Sequence, residues 1–171
     1  LDLAVPEDLD QTKSFLKEVS SFNPYWIEEP VDGENISLLT EIKNTFNMKV
    51  VTGEKQSGLV HFRELIERNA ADIFNPDISG MGGLIDIIKI SNEASNNGIS
   101  ISPHCWNSMS VSASAMLHVC SSISNSEKAE IFPDYINFSK KFCELPFDIV
   151  DNNAHLNKSA GLGIVIHENI L

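Results

Sequence analysis

Four short apolar runs, each closing on an ionisable side chain and each followed by a helical pattern, constrain this chain more than any other feature. They are YWIE at 25–28, KVVTGE at 49–54, ADIFNPD at 71–77 and ISISPH at 99–104. Helical spacing is visible before the first run at Phe15, Leu16, Val19 and Phe22, behind Pro6-Glu7-Asp8, whose proline and acids suit a helix start. This predicts a helix over 6–20. Further helices are expected at 35–46 with Leu38, Leu39 and Ile42, after residue 54 with Phe62, Leu65 and Ile66, at 83–97 and at 107–122. A last strand is expected at 128–132. Strand and helix alternating with short turns call for a parallel sheet, either doubly wound or closed as a (β/α) barrel.

A doubly wound nucleotide binder would carry a glycine-rich phosphate loop after its first strand. Gly80-Met81-Gly82-Gly83 follows the third run and fits neither GxGxxG nor a P-loop. It reads as a tight turn with a close helix approach. Beyond 134 the pattern loosens, and FDIV and GLGIVI are candidate short strands around the polar turn DNNAHLNKSAG.

The 171 residues, 42% of them hydrophobic, suffice for one domain with a core. A formal charge of −12 argues against nucleic acid or an anionic membrane as partner, since either needs a basic patch. Cys105, Cys120 and Cys143 are odd in number and lack CxxC spacing, which suggests a reducing, cytoplasmic setting and no zinc site. No run is apolar and long enough to span a membrane. The chain starts with Leu1 just ahead of the expected helix, as a piece of a longer protein would.

Glu28, Glu54, Asp77 and His104 recur at intervals of 26, 23 and 27 residues. In a barrel the carboxyl ends of all strands meet at one mouth, where active sites sit. Side-chain alternation puts Ser100, Ser102 and His104 on one face, Asn75 with Asp77, Trp26 with Glu28, and Thr52 with Glu54, leaving Val51 and Phe74 on the other. Any one acid could be a solvated strand end; the set in register is harder to explain so. Two carboxylates at one mouth make a hard oxygen site suited to Mg²⁺. The His104 imidazole suits proton transfer near neutral pH, with Asp77 to orient it. His61 and His118, in expected helices, and His155 and His167, in the tail, read as surface or packing residues.

WIEEP at 26–30, TGE at 52–54, NPD with GMGG at 75–83 and SPH at 102–104 together resemble the enolase superfamily, most closely its mandelate racemase subgroup, which includes acid-sugar dehydratases. The resemblance implies the C-terminal part of a (β/α)7β TIM-like barrel. Residues 1–133 would run from the helix after the third strand through the eighth strand, and 134–171 would be a closing segment. It implies Mg²⁺ held by three acids, of which Glu28 and Glu54 are two. The third is expected upstream of Leu1, because Asp2 lies too close to the helix expected at 6. Asp77 and His104 would form the general-base dyad, and Glu130 in KAEIF would contact substrate. SAGLGI at 159–164 is similar to the family's Pro-Gly-Leu-Gly segment, with Ala160 for the proline. The capping domain and a lysine-bearing second strand would lie outside the chain. The implied activity is Mg²⁺-dependent dehydration of a hydroxy acid, a sugar acid above all. The alternatives are a racemase or epimerase with the same dyad, or a non-catalytic barrel scaffold, inactive or aggregating as an isolated piece. A small carboxylate is the expected partner, a homo-oligomer the expected assembly, and Trp106 and Asn107 candidate pocket residues.

Overall fold

The computed structural model describes residues 1–6, 8–105 and 109–168; Glu7, Trp106 and Asn107 fall outside that set. Its centre is a four-stranded parallel sheet in sequential order: β1 (Ile27–Glu28), β2 (Val50–Thr52), β3 (Ile73–Phe74) and β4 (Ser100–Ile101). Helices α1 (Leu9–Val19), α2 (Ile36–Thr45), α3 (Leu59–Glu67), α4 (Leu84–Ser95) and α5 (Ser110–Ser122) alternate with the strands. This is the parallel α/β architecture that the rhythm of apolar runs demands, in the form of a barrel portion.

The strands are shorter than the apolar runs. Pro30, Gly53, Pro76 and Pro103 each stand within two residues of a strand end. Proline offers no N–H to a ladder, and Gly53 takes a φ of +134°. Glu28 therefore closes a strand, whereas Glu54, Asp77 and His104 lie in the loops just beyond theirs.

Register places Glu28 beside Val51, Val51 beside Ile73, and Ile73 beside Ser100. The next layer is Thr52, Phe74 and Ile101. Phe74 packs edge-on against Phe62 of α3, with ring centroids 5.2 Å apart, so this layer faces the helices. Val51 lines the interior cavity and Thr52 does not. Alternation thus runs opposite to the expectation for β2, because Gly53 breaks the parity between Thr52 and Glu54.

Helix α1 starts three residues later than predicted. The Asp8 carboxylate caps it, accepting from Asp10 N–H (2.9 Å) and Gln11 N–H (3.0 Å). Its buried face is Thr12 and Leu16; Phe15 and Phe22 are exposed. The late start frees residues 1–3 to extend the sheet beside β1: Asp2 is in parallel register with Glu28, Leu3 N–H donates to Glu28 O, and Glu28 N–H to Leu1 O.

At the other edge, the strand expected at 128–132 is replaced by an isolated bridge between Ile101 and Ser126. Ser102 Oγ then bonds Lys128 O at 2.8 Å, and Pro103 ends the ladder. After α6 (Pro133–Ser139), β5 (Cys143–Glu144) pairs with β8 (Val165–Ile166), and β6 (Phe147–Val150) forms a hairpin with β7 (Asn153–Leu156). Asp151 and Asn152 both take positive φ, the two-residue turn that suits hairpin twist. The polar stretch read as one long turn therefore contains a strand. Leu162 O accepts Ser114 Oγ at 2.7 Å, which ties the tail to α5. No helix among the described residues is long and apolar enough to cross a membrane.

Candidate active site

His104 stands at the centre of the polar cluster. Its Nδ1 is 2.9 Å from Asp77 Oδ2, and its Nε2 is 3.6 Å from Glu54 Oε2. The other oxygen of Asp77 accepts the backbone N–H groups of Ser79 (2.7 Å) and Gly80 (3.1 Å). The GMGG turn thus anchors the acid that holds the histidine. An ionised carboxylate can only accept, so Nδ1 carries the proton and Nε2 is left as the basic nitrogen.

Glu28, His104 and Glu130 line one cavity of about 230 Å³, together with Trp26, Asn75 and Ser102. Glu28 Oε1 accepts Asn75 Nδ2 at 2.7 Å. Glu130 Oε2 accepts the Cys105 N–H at 2.6 Å. Glu54 joins through His104, with Lys55 Nζ 4.0 Å from its other oxygen. A groove of about 780 Å³ between α5 and the β6–β7 hairpin is larger, but carries neither the histidine pair nor Glu28.

Burial pushes the Glu28 carboxyl above the ordinary carboxylate value; the Asn75 hydrogen bond opposes this, while the charges of Asp2, Glu130 and Glu54 push it further up. Three other carboxylates are therefore within electrostatic reach of Glu28, which is a place that favours a cation. Among the described residues no three of these groups close into a cage around an ion, and Glu54 leans toward His104. The donor chemistry, carboxylate oxygens crowded together, fits a hard cation such as Mg²⁺.

Two acids take places that the sequence reading gave only in part. Asp2 is a candidate for the third acid, since it lies in parallel register with Glu28 and residues 1–3 belong to the sheet rather than to a helix lead-in. Glu29 is fully buried, with φ +42°, and its Oε1 accepts Thr52 Oγ1 and Gly53 N–H, both at 2.9 Å. Burial pushes its carboxyl up to about 7, against hydrogen bonds from Gly53 and Thr52. Only the late cap at Asp8 could have signalled the first. For the second, strand alternation already puts Glu29 with Ile27 on the face opposite Glu28, as an acid whose charge its neighbours must offset, but not its full burial or its partners.

The chain is thus a parallel α/β barrel portion with acids and an Asp–His pair gathered at the carboxyl ends of its strands. The chain belongs to the family of enolase C-terminal domain-like proteins, whose model matches residues 1–170. Its relatives are racemases and dehydratases of the enolase superfamily. It is 27% identical to the N-succinyl-L-Arg/Lys racemase of Bacillus cereus over 99% of this chain and 47% of that protein. It is 28% identical to the D-galactonate dehydratase of Ralstonia pickettii over 54% of this chain and 24% of that protein. It is 95% identical, with a TM-score of 0.97, to a crystal structure of an enolase from environmental genome shotgun sequencing of the Sargasso Sea, covering 99% of this chain and 45% of that one. The chain spans about half the length, or less, of the relatives it matches.

Proposed function

We propose that the protein carrying this chain is a Mg²⁺-dependent lyase that dehydrates a hydroxy acid, with a sugar acid as the substrate class. Asp2, Glu28 and Glu54 would hold the cation. When bound there, Mg²⁺ would offset the charge that develops on the substrate carboxylate as its α-proton leaves.

His104 removes the α-proton through Nε2, the nitrogen that Asp77 leaves unprotonated. The imidazolium so formed then delivers that proton to the departing β-hydroxyl, which leaves as water. The remaining enol rearranges to a 2-keto-3-deoxy acid. Glu130, held by the Cys105 N–H, contacts the substrate within the cavity. The observation that carries this reading is the line Asp77–His104–Glu54, with a basic nitrogen facing an acid-rich pocket.

The test is exchange of the substrate α-proton with solvent deuterium in the full gene product. His104→Asn is expected to abolish exchange while Mg²⁺ binding survives; unchanged exchange overturns the assignment. A racemase is the second reading, favoured by the match to the Bacillus cereus enzyme over nearly the whole chain. Deuterium recovered in substrate of inverted configuration, without a keto product, would establish that reading instead.

A further inference from the structure

We infer that Glu29 is a positioning residue: through Thr52 and Gly53 it sets the turn that delivers Glu54 to the cation site. The inference rests on the reading of Asp2, Glu28 and Glu54 as that site. Thr52 belongs to the layer facing the helices, so simple alternation would send Glu54 the same way. Gly53, at φ +134°, turns the chain back, and glycine has no side chain with which to hold that turn in place. The peptide linking Thr52 to Gly53 is held from outside instead, by Glu29 Oε1 on the Gly53 N–H, with the Thr52 hydroxyl on the same oxygen.

The backbone of Glu29 stays in the sheet while its side chain does this. Its N–H donates to Val51 O at 3.0 Å, and its carbonyl accepts Val5 N–H at 3.1 Å. Its φ of +42° is a strained region for a residue with a Cβ, and it accompanies a side-chain direction away from that of Glu28. The second oxygen, Oε2, is buried and has no hydrogen-bond partner among the described residues. An apolar side chain of similar volume would leave no such oxygen, so packing alone does not explain an acid here. A brace on the Glu54 turn does.

The test is calorimetric titration of the full gene product with MgCl₂, alongside circular-dichroism melts. Glu29→Leu leaves the buried Thr52 hydroxyl and Gly53 N–H without their acceptor but removes a buried carboxyl, so it is expected to remain folded with a modest change in melting temperature. Its Mg²⁺ dissociation constant is expected to rise about tenfold or more, the usual effect of losing a partner that orients a ligand. Glu29→Gln keeps an acceptor at the Oε1 position and is expected to stay within about threefold. A residue that only stabilised the fold would shift the melt without changing the Mg²⁺ affinity of the variant while it is folded. Wild-type affinity in Glu29→Leu overturns the inference, as does a Glu29→Gln that loses as much as the leucine variant. Should Glu29→Leu fail to fold, Thr52→Val decides: it removes the hydroxyl at constant shape, a rise of about threefold supports the brace, and no change overturns it. Absence of Mg²⁺ binding in the unsubstituted protein overturns the functional reading and this inference together; binding there, unaltered in the variants, overturns the inference alone.

Discussion

Glu28 and Glu29, neighbours in the sequence, send their carboxylates to different partners: Glu28 to Asn75 beside the cavity, Glu29 to Thr52 and Gly53 in the layer that faces the helices. A pair of like charges at a strand end is thereby divided between two jobs. One acid faces the site and is crowded by Asp2, Glu130 and Glu54; the other is enclosed and holds the loop that follows β2.

Asp77→Asn should remove most of the activity without removing the substrate. The asparagine carbonyl can keep the Ser79 and Gly80 bonds while its NH₂ faces His104 Nδ1. That forces the proton onto Nε2 and leaves no base aimed at the pocket. The turnover number is expected to fall roughly 10²–10⁴-fold with KM nearly unchanged. Steady-state kinetics checks this, and an equal fall in affinity would show that Asp77 binds rather than orients.

Asn75→Leu should weaken the cation site. Asn75 is 1% exposed and gives Glu28 its hydrogen bond from a protein side chain. Without it the Glu28 carboxylate is buried among three other acids with less to stabilise its charge. The Mg²⁺ dissociation constant is expected to rise about tenfold, and stability to fall by about 1–3 kcal/mol. Asn75→Asp, which puts another acid beside Glu28, should be less stable in chelator than leucine at pH 7 and closer to it at pH 5. Titration calorimetry and urea unfolding at the two pH values check the pair.

The architecture was legible because apolar runs and helical spacing repeat through four units, and local patterns suffice to show such a repeat. Glu28 and His104 were legible together for the same reason, Glu130 only through the resemblance to the enolase superfamily, and the structure brings all three to one cavity. What was hidden depended on single backbone conformations. The Asp8 cap delays α1 and leaves Asp2 in the sheet; the positive φ of Gly53 reverses the expected parity of Thr52 and Val51; two positive φ values at Asp151 and Asn152 fold a hairpin into an apparent loop. None of these leaves a periodic trace.

Stability in EDTA should fall as pH rises through the acid range, in part because of Glu29. Burial raises its carboxyl from 4.5 to about 7, with Glu54 adding to the rise, and Gly53, Thr52 and Lys55 opposing it. The folded state thus holds a proton that the unfolded chain releases first. Below pH about 4.5 both states are protonated and the group adds nothing. Between there and about 7 the unfolded state ionises alone, so up to roughly 3 kcal/mol is lost by neutral pH. Glu29→Gln cannot ionise, so its stability relative to the unsubstituted protein should climb from pH 5 to pH 7. Urea unfolding of both proteins in chelator measures that difference; a difference constant with pH would mean an ordinary carboxyl.

Gly53→Ala should destabilise the protein through two separate effects. At φ +134° an L-residue is strained wherever it sits, and the added Cβ would stand 2.8 Å from Phe62 Cε1, a ring that is itself fully buried against Phe74. Strain and overpacking of this kind each cost about 1–3 kcal/mol. Phe62→Leu in the same chain makes room for the methyl group but does nothing for the backbone. The double variant is therefore expected to be more stable than the two single losses add up to, without reaching the stability of Phe62→Leu alone. A double-mutant cycle by urea unfolding separates the terms. Strict additivity would show that the ring and the glycine do not press on each other, and full recovery would show that the backbone at residue 53 carries no strain.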